Sequence, residues 1–412
     1  MDSAKKIPFI FRVTRSNRFT IPVLLHTLEK DRWDKVFDLK TADTFRDLVR
    51  AAEEKRALIA YSFMTPHLPD VWREIRRLKK TCKTGSLLIA GGPHPTGDPD
   101  GTLEMGFDAA ISGDGETGLP LFIRTFLDGT DLHRRIFSAP NLSSLDESFP
   151  ISRYDSLVPP LEITRGCFYG CSFCQTRGRK PVHRSLESIE RFLDELARKG
   201  FLFRAGFICP SGFEYGSEKA GAPSNGKIEA LLSSSKSRGI RFLEYAIFPS
   251  EVRPNTVSHD LLKCVRKYCS NKKITLGAQS ASDRILKEEK RGHTFEAIER
   301  AAALIHEHGF RPQIDFIMGF PEETEADRME TLRRMKHLGL RYRAWNQVHY
   351  FLPLAGTPQY RRSPSPLSDR TIRILDGYAQ NGYANNWWRQ GLETAQRLAR
   401  IQKELLESGS IR

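Results

Sequence analysis

Along the first third of the chain, short apolar runs alternate with stretches whose apolar residues recur every three or four positions. Ile7–Val13, Arg56–Phe63, Ser86–Ala90 and Asp108–Ser112 read as strands, while Ile21–Glu29 and Pro69–Lys80 read as amphipathic helices. This rhythm predicts an α/β fold over residues 1–130, a doubly wound, Rossmann-like parallel sheet. Two of the strands run into glycine-rich turns, Gly91-Gly92-Pro93-His94-Pro95 and Gly113-Asp114-Gly115-Glu116, which would bring backbone close to a ligand at the carboxyl edge of the sheet. Neither turn is a GxGxxG followed by an acidic residue about 20 positions on, so a nicotinamide site is weakly supported, and ordinary turn glycines remain the alternative.

The pattern thins over residues 131–160, where Pro140, Pro150, Pro159 and Pro160 mark a linker, with Phe149 and Tyr154 expected at the domain junction. It returns over 161–360. Leu186–Lys199 reads as a helix, and Phe203–Ile208, Arg241–Phe248, Lys273–Gly277, Gln313–Met318 and Trp345–Phe351 as strands, the repeat of a partial β/α (TIM-like) barrel. Thr294 is the expected N-cap of a helix over Phe295–His308. Residues 361–412 hold two helical stretches, Leu367–Gln380 and Gly391–Leu406, around Tyr383, Trp387 and Trp388. These form a C-terminal helical cap whose aromatics either pack internally or face a peptide.

A chain of 412 residues with 39% apolar content is an ordinary globular protein of two or three domains. The opening residues from Met1 to Lys6 lead into only a short apolar run broken by Arg12 and Arg15, so no signal peptide and no membrane span are expected and the location is read as cytoplasmic. The net charge of +14 favours an acidic partner at long range, but the Lys and Arg are dispersed. Arg76-Arg77-Leu78-Lys79-Lys80 and Arg333-Arg334-Met335-Lys336 read as solvated helix faces, and a nucleic-acid partner is not expected. The seven cysteines, at 82, 167, 171, 174, 209, 264 and 269, are an odd number that fits no full disulfide framework. Cys209, Cys264 and Cys269 read as core or helix-end residues.

The candidate chemistry lies in Thr164-Arg165-Gly166-Cys167-Phe168-Tyr169-Gly170-Cys171-Ser172-Phe173-Cys174-Gln175. Cys167, Cys171 and Cys174 are soft ligands at offsets of four and three, in a glycine-bearing loop after a strand end. Three thiolates suit a [4Fe-4S] cubane with one iron left open for a small molecule. Gly166 and Gly170 would let the loop wrap the sulfides. A zinc knuckle completed by His183, or a helix face of core cysteines, are the alternatives.

CxxxCxxC with an aromatic before the last cysteine resembles the defining motif of the radical S-adenosylmethionine (SAM) superfamily. The resemblance implies that Cys167, Cys171 and Cys174 ligate the cluster and that the open iron chelates SAM, which is cleaved to methionine and a deoxyadenosyl radical. It continues through the later strand ends. Cys209-Pro210-Ser211-Gly212 stands where the family contacts the SAM amino group, although the usual Gly-Glu is missing and Glu214 comes two residues later. Glu251 and Arg253 would complement the methionine zwitterion, with structural ion pairing as the alternative. Gln279 would hold a ribose hydroxyl or corrin amide, and Phe173 and Phe320 would flank the cofactor, Phe320 from the adenine-side strand. Pro353-Leu354-Ala355-Gly356-Thr357-Pro358 resembles a loop facing cobalamin and substrate.

The two glycine turns ahead of the cluster motif resemble the cobalamin-binding half of the B12-dependent radical SAM subfamily. By that resemblance Gly91, Gly92, Pro93 and His94 lie beside the cofactor's nucleotide tail, Gly113, Gly115 and Glu116 nearer the corrin, and Ser62 and Thr65 offer polar contacts to the tail. The DxHxxG pattern that supplies a cobalt ligand in other cobalamin enzymes is absent, so cobalamin is expected base-off with no histidine on cobalt. The implied activity is C-methylation of an unactivated sp3 carbon, with the methyl carried by cobalamin, two roles for SAM and a low-potential electron donor. A non-methylating radical reaction and an iron-sulfur nucleic-acid-binding module are the alternatives. A protein or peptide substrate is expected. The overall pattern is similar to archaeal members, among them methyltransferases of methyl-coenzyme M reductase, including the one acting on Cα of a glutamine in its large subunit.

Overall fold

The computed structural model describes residues 6–53, 56–81, 85–201 and 203–407; the opening residues 1–5 and Cys82 lie outside the described residues. The first unit alternates β1 (Ile7–Arg12), α1 (Ile21–Lys30), β2 (Phe37–Ala42), α2 (Phe45–Glu53), β3 (Leu58–Ser62), α3 (Leu68–Thr81) and β4 (Leu87–Gly91). It continues through α4 (Pro93–Gly97), α5 (Pro99–Glu104), β5 (Ala109–Ser112), α6 (Gly115–Leu127) and β6 (Arg135–Ser138). The strands form one six-stranded sheet in the order β2-β1-β3-β4-β5-β6, parallel throughout.

β3 is buried at every position, as expected of a strand covered on both faces. α1 and α6 pack Leu25, Leu28, Phe122 and Ile123 on one face, and α2 and α3 pack Leu48, Val71, Ile75 and Leu78 on the other. β6 lies within the stretch expected as linker, and its four residues were too short to stand out among the prolines that follow. The first glycine turn opens directly into α4 and α5, because Pro93 and Pro99 sit at first-turn positions that lack a hydrogen-bond partner anyway.

The second unit begins with β7 (Leu161–Glu162), β8 (Thr164–Arg165) and β9 (Val182–His183), followed by α7 (Leu186–Arg198), β10 (Arg204–Ile208), α8 (Asn225–Ser237), β11 (Phe242–Glu244) and α9 (His259–Tyr268). β12 (Lys273–Gln279), α10 (Asp283–Glu288), α11 (Phe295–Glu307), β13 (Arg311–Met318), α12 (Glu325–Tyr342) and β14 (Trp345–Tyr350) complete the repeat. β11-β10-β7 and β12-β13-β14 are separate three-stranded ladders, joined through a parallel bridge from Val252 to Leu276. The result is a partial barrel, with helices over its outside and the loop carrying Cys167, Cys171 and Cys174 after its first strand.

α13 (Asp369–Gln380) and α14 (Trp387–Glu407) form the C-terminal helices. Trp388 is buried in the barrel core, whereas Leu398 and Ile401 of the same helix join the core of the first sheet on its α3 side. α14 therefore ties the two units together. No described helix is long and apolar enough to cross a membrane.

Candidate functional site

The cluster loop is shaped by its own backbone. The amide of Cys167 donates to the Arg179 carbonyl at 2.9 Å and that of Ser172 to Glu289 at 3.2 Å. Gly166 has φ +92°, and a Cβ there would stand 2.8 Å from the carbonyls of Arg179 and Lys180. Its smallness thus serves the loop's closure on itself. Gly170 faces open space.

Cys171 is buried and receives two guanidinium groups, Arg291 Nη1 at 3.2 Å and Arg253 Nη1 at 3.7 Å. Burial alone would raise this thiol, but Arg291 and Arg253 outweigh it and hold the thiol below its ordinary value. Burial pushes the Cys167 thiol up, with the charge of Cys174 near enough to add to the rise. Arg253 also donates to the Arg291 carbonyl and lies over the Tyr169 ring, 3.5 Å from its centroid. Arg291 donates onward to the Gly277 carbonyl.

Around these groups stand buried polar atoms without a partner: Ser211 Oγ, Glu214 Oε2, His293 Nδ1, Arg253 Nε and Arg291 Nε. Buried groups of this kind are rarely left unpaired in a finished site. Both donors and acceptors are on offer, which fits an amino-acid zwitterion beside the thiols. Among the described residues no three His, Cys, Asp or Glu side chains converge on a single metal ion. A cubane sets its thiolates on different irons, so a spread trio suits it better than it suits one zinc. His183 is excluded as a fourth ligand, since its two ring nitrogens already bond Thr164 Oγ1 and the Ser217 carbonyl, each at 3.0 Å.

The remaining expected residues divide. Glu251 is half-buried, its carboxyl raised by burial, and among the described residues it forms no ion pair with Arg253. Gln279 ends β12 at a register shift with φ +75°, a strained conformation for a non-glycine residue, and its amide lies beside Gly277. Phe173 is half-buried, but Phe320 is fully buried between Phe173 and Phe351, with ring centroids at 5.5 and 5.6 Å. Phe320 therefore packs on Phe173, the half-buried aromatic of the cluster loop. Cys209 is fully buried, its thiol pushed up to about 12 by burial, as a core cysteine should be.

Between the two units lies a cleft of about 620 Å³. Gly91, Gly92, Pro93, Gly113, Gly115 and Glu116 line it from the first sheet together with Ser62, and Gly166, Gln175, Ala355 and Gly356 from the barrel. Gly92 has φ +97°, and a Cβ there would stand 2.9 Å from the Phe63 amide. Phe11, Ile89, Ile111 and Leu119 make the floor apolar.

Thr65 and His94, expected beside a cofactor tail, are not in this wall. Thr65 Oγ1 bonds His94 Nδ1 and receives the Ala355 amide, each at 3.1 Å, while the His94 ring stacks on Phe63 at 5.3 Å. Both are buried and tie the first sheet to the barrel's last loop. Burial lowers the His94 imidazole to about 4, so it is neutral at physiological pH.

Sequence reasoning missed the clamp across the cleft. Arg179 grips Asp114 in a bidentate pair at 2.7 and 2.5 Å, and Arg165 reaches Asp114 at 3.3 Å and Glu116 at 2.8 Å. Burial would raise the Asp114 carboxyl, but the Arg179 hydrogen bonds and the Arg165 charge hold it below its usual value. These arginines flank the cluster loop on either side, so one loop both carries the thiols and locks onto the second glycine turn. Arg291 was also missed; its only local signal was the basic run Lys290-Arg291-Gly292-His293 after a strand and a short helix.

A glycine-walled apolar cleft beneath a parallel sheet, facing a three-thiol loop at the mouth of a partial barrel, defines a cobalamin- and SAM-using protein. Residues 161–335 match the radical SAM superfamily and residues 20–123 the B12 binding domain, so the chain joins a B12-binding domain to a radical SAM domain, a pair whose cofactors are cobalamin and a [4Fe-4S] cluster. The fold is similar to that of the radical SAM methyltransferase TsrM from Kitasatospora setae, whose structure holds cobalamin and a [4Fe-4S] cluster (TM-score 0.62, 14% identity, 91% of this chain and 79% of that one). It is also similar to the cobalamin-dependent radical enzyme OxsB with aqua-cobalamin bound (TM-score 0.64, 16% identity, 92% and 56%). By sequence, the tRNA-2-methylthio-N(6)-dimethylallyladenosine synthase of Geobacter metallireducens is 29% identical over 240 residues, 55% of this chain and 48% of that protein. The chain spans about half the length of the curated relatives it matches.

Proposed function

We propose that the chain is a cobalamin-dependent radical SAM C-methyltransferase that places a methyl group on an unactivated sp3 carbon. The observation that carries this reading is the shared cleft, walled by the glycine turns after β4 and β5 and by the cluster loop, and clamped by Arg165 and Arg179 on Asp114. When bound, the cluster supplies the electron that cleaves SAM and cobalamin supplies the methyl group. The chain's own part is to hold and to shield. Arg291 and Arg253 hold the Cys171 thiol below its ordinary value, which favours its ligation of iron, and the unpaired atoms of Ser211, Glu214 and His293 orient the amino-acid end of SAM. The apolar floor excludes water from reactive partners. Because His94 is held by Thr65 and Phe63, it would not serve as a ligand to cobalt, in keeping with the base-off, histidine-free cobalamin expected from the missing DxHxxG pattern.

The substrate is read as a protein or peptide, with Cα of a glutamine in the large subunit of methyl-coenzyme M reductase as the specific candidate, and the reductant as a low-potential electron donor. Anaerobically reconstituted protein should bind one cobalamin and about four irons, and release both deoxyadenosine and S-adenosylhomocysteine when given substrate. Deoxyadenosine alone would assign a non-methylating radical reaction. Labelled SAM added to a cell extract should mark a protein band; label in RNA, the substrate class of the tRNA-modifying relatives, would overturn the protein reading.

A further inference from the structure

A groove of about 470 Å³ runs along the face where α14 meets α3, away from the cofactor cleft. One wall is α3, where Arg73, Arg76, Arg77 and Lys80 point outward on successive turns; the other is α14, with Arg397 and Arg400. The run Arg76–Lys80, expected as an ordinary solvated face, is thus half of a basic channel whose other half lies more than three hundred positions away. Its floor is apolar, formed by Pro69, Trp72 and Ile401. Asp70 pairs with Arg73 at 3.1 Å and with Arg397 at 2.5 Å, closing one end. Among the described residues Arg76, Arg77, Lys80 and Arg400 form no ion pair.

We propose that this groove docks an acidic amphipathic helix of a partner protein. Cations one helical turn apart, about 5.4 Å along the axis, match carboxylates spaced i to i+4 on a facing helix, and the apolar floor takes that helix's apolar stripe. A nucleic-acid strand fits less well. The ring that a base would stack on carries an arginine over its face, Arg76 on Trp72 at 4.7 Å. Glu404 on the α14 wall also opposes an unbroken row of phosphates. Docking here is independent of the reaction in the cleft and of whether cofactors are loaded.

The test uses the full chain with labelled poly-L-glutamate as the carboxylate probe and an oligouridylate of matched charge as the phosphate probe, followed by fluorescence anisotropy. Arg76→Glu with Arg400→Glu should weaken poly-glutamate binding about tenfold or more. Arg333→Glu with Lys336→Glu, the same charge change on exposed positions of α12, should leave it unchanged. Equal loss in both double variants, or no binding of poly-glutamate to the unmodified chain at low salt, would overturn the proposal. Tighter binding of the oligouridylate, lost in the groove variant, would assign the groove to nucleic acid instead.

Discussion

The surroundings of the thiol loop inside the barrel and the first-sheet wall of the cleft are built on opposite plans. The barrel side is crowded with charge, its Arg253, Arg291, Glu214 and His293 partly unpaired. The first-sheet side is bare, presenting glycine backbone and an apolar floor; its carboxylates Asp114 and Glu116 are paired with arginines, and Thr65 and His94 are bonded to each other behind it. A small zwitterion beside a cluster is recognised by directed hydrogen bonds, whereas a large macrocycle is held by shape and burial. Losses on the barrel side should therefore be chemical and losses on the sheet side steric.

The largest effect is expected from Cys171→Ala. It removes the thiol that two guanidinium groups contact, so iron should not assemble and deoxyadenosine formation should be abolished, while cobalamin binding, read by absorbance, persists. Retained iron at the level of the unmodified chain would break the assignment. Next comes Gly97→Val on the sheet side. A Cβ at Gly97 would stand 2.3 Å from the carbonyl carbon of Ala355, so the last barrel loop must move off α4, at a cost of about 3 kcal/mol. Chemical denaturation should show that loss, with weaker cobalamin binding and intact iron content.

Arg179→Ala sharpens the contrast because Arg179 belongs to both sides. It leaves buried Asp114 with Arg165 and the Leu142 amide alone, and about 2 kcal/mol of stability should go with the lost bidentate pair. Iron content should change little, since Cys171 keeps its two guanidinium partners. Equal loss of iron and cobalamin would mean that the clamp, not the walls, organises the cleft.

What was legible in the sequence was local. Cys167, Cys171 and Cys174 lie in one loop, and Gly91-Gly92 and Gly113 follow strands whose apolar runs announce them, so motif and position could be read together. What was not legible depends on pairing across distance. Nothing near Asp114 points to Arg179, nothing near Thr65 points to Ala355, and the α3 cations look solvated until α14 is laid beside them. The burial of Phe320 belongs to the same class: it comes from Phe351, which only the third dimension brings near.

The smallest expected effect separates His94's structural role from a ligand's. Its imidazole is lowered to about 4 by burial, with Asp98 opposing the shift. The folded state therefore binds fewer protons than the unfolded chain between that value and the ordinary histidine range. Stability is present above the unfolded value and is lost as pH falls toward the folded one, about 1 kcal/mol on going from pH 7 to 5.5. His94→Gln keeps a partner for Thr65 but cannot titrate, so its acid sensitivity over that interval should be flatter by this amount in denaturation curves. If the variant instead keeps the slope and alters the absorbance of bound cobalamin, the ring is reaching the cobalt, and the sheet-side wall is not as bare as its geometry shows.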